Sequence, residues 1–580
     1  MSRYDLIIRG GTIVDGTGGA PFEGDVAIRS GRIAAVGSFE GEGDEEIDAG
    51  GLIVTPGFID IHTHYDGQVT WEERTLPSAA HGVTTVVMGN CGVGFAPCRA
   101  HDRDRLIGLM EGVEDIPEVV MTAGLPWQWE TFPEYLDFVA GRARDIDVAA
   151  QLPHSALRVY VMGQRGVDRE AATPDELAEM TRLTEEALRA GALGFATSRS
   201  VFHRDRDGVP IPTKDVADPE LQAIAQGLHA AGHGVIEALM DFDDNTDAEF
   251  ALLRNMAETS GRPLSLTVAL VPAHPERWKD ALRLLDEAND DGVVMKGQMM
   301  GRPTGLLLGL QLSYNPFSLK PSYQAIAHLP LAERVAEMRK PEVRTRILTE
   351  APGGSKYKFL ENLNKFDRIF DLGDPPNYIP RAADSAEAIA ARRCQTPAET
   401  AYDMMLEREG HAVLFLAHGN YPEGCDGQLP HVETMLRHPH TMLGLGDGGA
   451  HYGMICDAGY PTFMLMNWTR DRRPEDGQIS LPAMIHALTD QPARFVGLAD
   501  RGRVAPGYKA DLNLIDLAAL SLAAPRPVFD LPAGGRRMIQ DAGGYRATLV
   551  SGQVTYRDAQ ATGALPGRLV RGPQQPSIAP

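Results

Sequence analysis

The sequence predicts an α/β protein in which a β/α barrel of the TIM type lies between two short β-rich ends. From about residue 55 to 500, apolar strand-like segments alternate with helical segments such as Pro174–Ala190, which is the pattern of a β/α barrel. Residues 4–54 instead form short strand-like segments broken by Gly and Asp turns, and the C-terminal stretch repeats this style. A chain of 580 residues is also too long for one hydrophobic core.

Eight strands are expected in the barrel. Chemistry in such barrels lies at the C-terminal ends of the strands, so polar side chains at those ends are the candidates for a functional site. The predicted strands are Gly57–Ile61, Thr84–Met88, Asp147–Leu152, Gly194–Thr197, Gly234–Ala238, Leu264–Ala269, Val293–Gly297 and Met442–Leu445.

Residues of about 318–411 do not follow the β/α repeat. They are charged and helix-rich, with Pro and Gly breaks. A long insertion between two barrel strands is often a lid or a specificity element. The other interpretation is a peripheral helical unit at a subunit contact.

Composition limits the partners. The formal net charge of -24 argues against nucleic acid or an anionic membrane surface as the main partner. No apolar run approaches the roughly 20 residues that span a bilayer, and the N-terminus has no signal-peptide pattern. The five cysteines are scattered and lack a CxxC pair, which favours a reducing compartment. We therefore expect a cytoplasmic protein with a small-molecule partner, and a homo-oligomer.

The segment "TPGFIDIHTHYD" (Thr55–Asp66) ends an apolar strand with two histidines, His62 and His64, one residue apart. Side chains at positions i and i+2 of a strand point the same way, so both imidazoles can reach one point. Imidazole is a good ligand for zinc and similar divalent ions. The pair predicts a metal site, and an exposed histidine pair is the alternative.

This segment resembles the first barrel strand of the amidohydrolase superfamily, the metal-dependent hydrolases that include urease and dihydroorotase. Within it the chain resembles the N-acyl-D-amino-acid deacylase (D-aminoacylase) group, and Ala487–Asp516 resembles the superfamily's closing signature. The resemblance implies a small β-sandwich built from residues 1–54 and 501–580 beside a barrel of residues 55–500. It also implies one or two Zn²⁺ ions, or another divalent metal.

Two further residues take their roles from this resemblance. Cys91, in "HGVTTVVMGNCG", matches a cysteine that is a metal ligand in the deacylases. Asp447, in "MLGLGDGGAH", matches the family's "GSDG" ending, where the aspartate contacts the metal centre and acts as general base and then acid. A buried structural cysteine and a turn aspartate are the alternatives.

The chain departs from the deacylases at strands five and six, which carry no histidine at their ends. Glu237 is the ionisable group on strand five. A carboxylate can ligate zinc, and an inward Glu among apolar neighbours is costly unless it is paired or bound to metal. Glu237 is therefore a candidate ligand, with a structural ion pair as the alternative.

Four residues are candidates for substrate binding. His154, after strand three, could orient substrate or stabilise an oxyanion, and a hydrogen-bonded core histidine is the alternative. Arg199, Lys296 and Arg302 follow or end strands four and seven and could bind a substrate carboxylate. For each of the three cations, a solvent-exposed position is the alternative.

These observations predict a metal-dependent amidohydrolase that hydrolyses a non-peptide C–N bond, with an N-acyl-D-amino-acid deacylase-like reaction favoured. Hydrolysis of a cyclic amide, a lactam or another acyl-amide is the alternative within the same class. A barrel without catalysis that serves as a binding or assembly subunit is the alternative from another class.

Overall fold

The structure, a computed structural model, describes residues 3–355 and 358–577. The strands of this part of the chain are β1 (Arg3–Ile13), β2 (Phe22–Arg29), β3 (Arg32–Gly37), β4 (Glu42–Asp48), β5 (Ile53–Pro56), β6 (Phe58–Asp60), β7 (Val83–Met88), β8 (Asp147–Pro153), β9 (Gly194–Ser198), β10 (Val235–Leu239), β11 (Leu264–Thr267), β12 (Met295–Met299), β13 (Gly305–Leu308), β14 (Ile369–Asp371), β15 (Leu414–Ala417), β16 (Thr441–Leu443), β17 (Leu512–Ile515), β18 (Ser521–Leu522), β19 (Arg526–Leu531), β20 (Gly535–Ile539), β21 (Ala542–Gly543), β22 (Tyr545–Val550), β23 (Gln553–Arg557) and β24 (Gln560–Ala561).

The α-helices of the same ranges are α1 (Arg103–Glu114), α2 (Glu118–Gly124), α3 (Phe132–Ala140), α4 (His154–Met162), α5 (Gln164–Val167), α6 (Pro174–Ala190), α7 (Asp218–Ala231), α8 (Thr246–Ser260), α9 (Arg277–Asp290), α10 (Pro321–Gln324), α11 (Leu331–Met338), α12 (Pro341–Thr349), α13 (Ala386–Arg393), α14 (Pro397–Leu406), α15 (Pro430–Arg437), α16 (Tyr460–Phe463), α17 (Leu481–Leu488) and α18 (Asp490–Phe495). None of them is both long and apolar enough to cross a bilayer.

The eight predicted barrel strands are confirmed as one parallel sheet in the described residues, in the order β6, β7, β8, β9, β10, β11, β12, β16. Beyond the strand ends, the first and last strands meet through the Asp447 amide, which donates to the His62 carbonyl (3.1 Å), and the His64 amide, which donates to the Gly448 carbonyl (2.8 Å). The loops that carry the predicted metal site are therefore joined directly.

The barrel strands are apolar on both faces because side chains pack on both sides of a parallel sheet. All six residues of β7 are buried. Around them, the helices have typical end signals. In α6, Thr173 and Glu176 form a capping box, and Gly191 follows the helix in the left-handed conformation.

Both ends of the chain contribute to one nine-stranded sheet beside the barrel, as the resemblance implied. The two ends meet where β5 pairs antiparallel with β17, with Thr55 opposite Asn513. Gly57 connects this sheet to the barrel. A Cβ atom at Gly57 would lie 2.2 Å from Oγ1 of Thr84, so the close approach of the two elements requires glycine.

A buried ionic network links the barrel to the C-terminal part of this sheet. Arg501 donates to Asp147 on β8 (2.7 Å) and to the Thr85 hydroxyl on β7 (2.9 Å). Lys509 bridges Asp147 (3.0 Å) and Asp511 (2.7 Å). The charges are buried but paired, which is the condition under which buried ions are tolerated.

The inserted segment lies between β12 and α15 and has a core of its own. Its antiparallel sheet has the order β13, β15, β14, and α11, α12 and α14 pack against that sheet through buried residues such as Met338, Ile347 and Tyr402. Because β13 and β15 belong to this sheet, the inserted unit extends beyond residues 318–411 on both sides.

Candidate metal centre

Three buried ligand-type side chains converge at the C-terminal ends of β6 and β7. Ligand atoms of His62, His64 and Cys91 all lie within 4.8 Å of one another, and Cys91 Sγ is 3.4 Å from Nε2 of His62. The structure thus brings together three of the five residues that the sequence predicted at the ion.

The backbone holds these ligands in unusual positions. The His62 amide donates to Oδ1 of Asp60 (3.2 Å), which fixes the turn out of β6. Cys91 has φ +55°, a left-handed conformation that residues other than glycine seldom adopt. Gly89 precedes it at φ +87°, where a Cβ atom would lie 2.4 Å from the Gln151 carbonyl oxygen. Local strain of this kind is concentrated at functional sites.

Asp447 completes the cluster from the loop after β16. Its Oδ1 lies 3.6 Å from Nε2 of His62 and 3.6 Å from Nε2 of His64. Ligand atoms placed tetrahedrally at zinc bond lengths lie about 3.3–3.8 Å from one another. The three measured separations fall in this range, and the other distances among the His62, His64 and Cys91 ligand atoms are at most 4.8 Å, which leaves room for a zinc ion. The Asp447 side chain is also 21% exposed, whereas both histidines are buried.

The electrostatics favour a cation at this point. Burial lowers the pKa of His62 to about 4 and that of His64 to about 3, which keeps both imidazoles in the neutral form that binds metal. Burial and the nearby carboxylates of Glu237 and Glu114 raise the pKa of Cys91. A thiolate surrounded by carboxylates needs a positive charge beside it.

A second layer of side chains supports the ligands. Oε1 of Gln298 lies 3.2 Å from Nδ1 of His62, and the Gln298 amide nitrogen donates to Ser265 Oγ (2.8 Å). The Cys91 amide donates to Glu237 Oε2 (3.0 Å), and the other Glu237 oxygen lies 3.7 Å from Nδ1 of His62. Glu237 is thus on the Nδ1 side of His62 and beside the Cys91 backbone, and a direct bond from Glu237 to an ion stays a prediction.

Lys296 lies farther from the functional end of its strand than the sequence indicated, and its contact with a substrate stays a prediction. We expected strand seven to end at Gly297, but β12 covers Met295–Met299. Lys296 therefore lies near its N-terminal end, where Nζ donates to the Pro439 carbonyl just before β16. The shift of two residues also explains why sequence reasoning missed Gln298, which lies near the functional end.

The other predicted substrate-binding residues are engaged by neighbours. His154 is buried between Thr197 Oγ1 (2.8 Å) and Glu220 Oε1 on α7 (3.0 Å), which matches the alternative of a hydrogen-bonded core histidine. Arg199 forms an ion pair with Glu249 on α8.

Arg302 is buried, donates to Asp457 Oδ1 (2.7 Å), and stacks 3.7 Å above the ring of Tyr378. Recognition of a substrate carboxylate by Arg199 or Arg302 stays a prediction, and it requires an existing ion pair to open.

Glu114 and His451 also lie at the site, and the sequence did not point to Glu114. Glu114 is the last residue of α1, and its Oε1 lies 3.4 Å from Nδ1 of His64. His451 follows Asp447 by four residues, and its Nε2 lies 3.4 Å from Glu114 Oε2. Glu114 lies far from any strand end in the sequence, so no motif pointed to it.

Comparisons with known proteins identify the family of the chain. The model of the amidohydrolase family matches residues 45–556. The chain is 30% identical to N-acyl-D-aspartate deacylase of Alcaligenes xylosoxydans xylosoxydans over 98% of this chain and 95% of that protein. It is 27% identical to the D-aminoacylase of the same organism, over 98% and 97% of the two chains.

Among solved structures, N-acyl-D-glutamate deacylase from Bordetella bronchiseptica, complexed with zinc and a phosphonate inhibitor, is similar with a TM-score of 0.63 and 22% identity. The match covers 98% of this chain and 100% of that one, and it supports the fold. Because the family model spans most of the sequence, the chain belongs to the amidohydrolase family.

Proposed function

We propose that this protein is a metal-dependent amidohydrolase that hydrolyses a non-peptide C–N bond in a small N-acylated substrate. The observation that carries the proposal is the convergence of His62, His64 and Cys91 beside Asp447, whose side chain is partly exposed. The products of the reaction are a carboxylate and an amine, and water supplies the atoms that are added.

Each residue has a defined part in this reaction. His62, His64 and Cys91 would hold the ion, which when bound polarises a carbonyl group and makes water more acidic. Asp447 is placed to accept a proton from the attacking water and to deliver it to the leaving nitrogen. Gln298 holds His62 through Nδ1 and so keeps Nε2 directed at the cluster.

We propose zinc as the working ion and one ion per chain. The three soft and borderline ligands suit zinc. A second ion would need ligands on strands five and six. Glu237 on strand five is hydrogen-bonded to the Cys91 amide, and Ser265 on strand six is hydrogen-bonded to Gln298.

The first substrate class to test is the N-acyl-D-amino acids, because the relatives named above are called D-aminoacylase and N-acyl-D-aspartate deacylase. A second candidate is a cyclic or otherwise neutral amide. This candidate is favoured because the three cations that could bind a substrate carboxylate already contact other groups of the protein. These cations are Arg199, Lys296 and Arg302.

The test is a screen of N-acetyl D- and L-amino acids and of cyclic imides with the zinc-loaded protein. Turnover of an N-acetyl-D-amino acid that a chelator abolishes supports the first class, and chelator-sensitive turnover of cyclic imides alone supports the second. A zinc-loaded protein that binds these compounds without turnover would contradict hydrolysis and favour a binding or assembly subunit.

We also propose a cytoplasmic, homo-oligomeric protein. The free state of all five cysteines in the described residues is compatible with a reducing compartment. Cell fractionation and light scattering on the purified protein test the location and the oligomeric state.

A further inference from the structure

The end of helix α1 is tied to the loop that carries Asp447. The His451 amide donates to the carbonyl of Glu114. The next residue, Asp115, accepts a hydrogen bond from the Gly453 amide (3.1 Å). This helix end therefore sets the position of residues 447–453 relative to β6 and its histidines.

The side chain of Glu114 lies between two imidazoles. Oε1 is 3.4 Å from Nδ1 of His64, and Oε2 is 3.4 Å from Nε2 of His451. Glu114 is 1% exposed, and neither oxygen has a hydrogen-bond partner by strict geometry within the described residues. Nδ1 of His64 also lacks a partner there.

This placement is unfavourable for stability alone. A carboxylate at the C-terminus of a helix opposes the helix dipole, and burial without partners adds a further cost. This placement of Glu114 against a metal ligand fits a role that stabilises the protein only when the ion is bound.

We propose that Glu114 is a positioning residue that accepts a hydrogen bond from Nδ1–H of His64, so that the Nε2 lone pair of His64 is directed at the ion. The same carboxylate anchors His451 through Nε2–H. His62 receives the equivalent support from the neutral amide of Gln298, so the two metal-binding histidines are oriented by different groups. The inference rests on one part of the proposed function, namely that an ion is bound at the cluster.

The test is the zinc affinity of Glu114→Gln, measured by competition with a chromophoric chelator. Loss of a carboxylate behind a metal-bound histidine typically weakens metal binding about 10- to 100-fold. We expect a loss in this range, and a changed absorption spectrum of the cobalt-substituted variant. Glu111→Gln, one turn earlier on α1 with its side chain accepting from the Glu118 amide, should bind zinc like the wild type.

Thermal unfolding of the metal-free proteins separates positioning from a structural role. We expect the metal-free Glu114→Gln protein to unfold at the same or a higher temperature than the wild type, because a buried carboxylate has been removed. Unchanged zinc affinity would overturn the inference, as would weaker affinity accompanied by an equal loss of stability in the metal-free state.

A measurement on the wild-type protein tests the inference even if Glu114→Gln does not fold. In the zinc-loaded wild type, ¹⁵N-labelled His64 should show the Nδ1–H tautomer, and the Nε2–H tautomer would overturn the inference. Neither measurement uses a substrate. The inference can therefore fail while hydrolysis stands, and an absence of hydrolysis would leave a Glu114 effect on zinc affinity intact.

Discussion

Cys91 Sγ lies 3.4 Å from Nε2 of His62, although the two residues are 29 positions apart in the chain. They meet because β6 and β7 are adjacent parallel strands, whose C-terminal ends lie at the same edge of the barrel. A thiol and an imidazole nitrogen at this separation can bind the same ion. His64 and Asp447 approach the same point, since Oδ1 of Asp447 lies 3.6 Å from Nε2 of both His62 and His64.

Asp447→Asn should lower turnover on an identified substrate by about 10²- to 10⁴-fold, the usual contribution of a general acid–base group. Asparagine is the suitable replacement because Asp447 has φ +48°, a conformation that Asn tolerates. Steady-state kinetics on the zinc-loaded variant, with zinc content measured alongside, check this. Near-normal turnover would remove Asp447 from the mechanism.

Lys296→Ala should leave KM for the substrate within about twofold of the wild type, since a side chain outside the site adds no transition-state or substrate contact. Nζ of Lys296 contacts the Pro439 carbonyl, close to the N-terminal end of β12. Steady-state kinetics with a carboxylate-bearing substrate provide the check. A large rise in KM for that substrate alone would place Lys296 back in the pocket.

Arg501→Ala should lower the free energy of unfolding by about 3–5 kcal/mol, because it removes one of the two cations that pair with the buried carboxylate of Asp147 and leaves only Lys509. Arg546→Ala is the matched control. Arg546 is exposed and pairs with Asp516 and Asp558, so its loss should lower the free energy of unfolding much less. Urea denaturation of both variants makes the comparison, and equal losses would contradict it.

His81 should make the protein less stable in acid. Burial between Thr462 and the Gln540 carbonyl lowers the pKa of His81 to about 4, from an ordinary value near 6.5. Between these values the unfolded chain binds the proton and the folded chain does not. The stability from neutral His81 is therefore complete above pH 6.5 and falls by up to about 3 kcal/mol as the pH drops to 4.

The measurement for His81 is the difference in unfolding free energy between the wild type and His81→Gln across this pH range. The wild type should lose its advantage as the pH falls from 6.5 to 4, while the other buried histidines act equally in both proteins. A difference that does not change with pH would show that His81 does not carry this dependence.

The barrel was predictable because its strands are short apolar segments that alternate with amphipathic helices. His62 was predictable from the spacing of two histidines at a strand end, and Cys91 from the resemblance to the deacylase motif. Strand boundaries were not, because an apolar run does not mark where hydrogen bonding begins. Because β12 ends two residues later than predicted, Gln298 and not Lys296 lies near the functional end of the strand.

The partners of the charged side chains could not be predicted from the sequence either. Arg199 and Arg302 follow barrel strands as expected, but their partners, Glu249 and Asp457, are 50 and 155 residues further along the chain. Glu114 was missed because a helix end acquires its role only when the fold places it behind His64. Long-range partners depend on tertiary packing, which local patterns do not encode.

The most direct test is the zinc content of protein purified without chelators or metal-affinity columns, for the wild type, Cys91→Ala and Cys425→Ala. Cys425 is a buried cysteine in the inserted unit, away from the cluster. We predict about one zinc ion per chain for the wild type and the Cys425 variant, and far less for Cys91→Ala, because a thiolate is a strong zinc ligand. A wild-type protein that contains no metal and takes none up from solution would contradict the account.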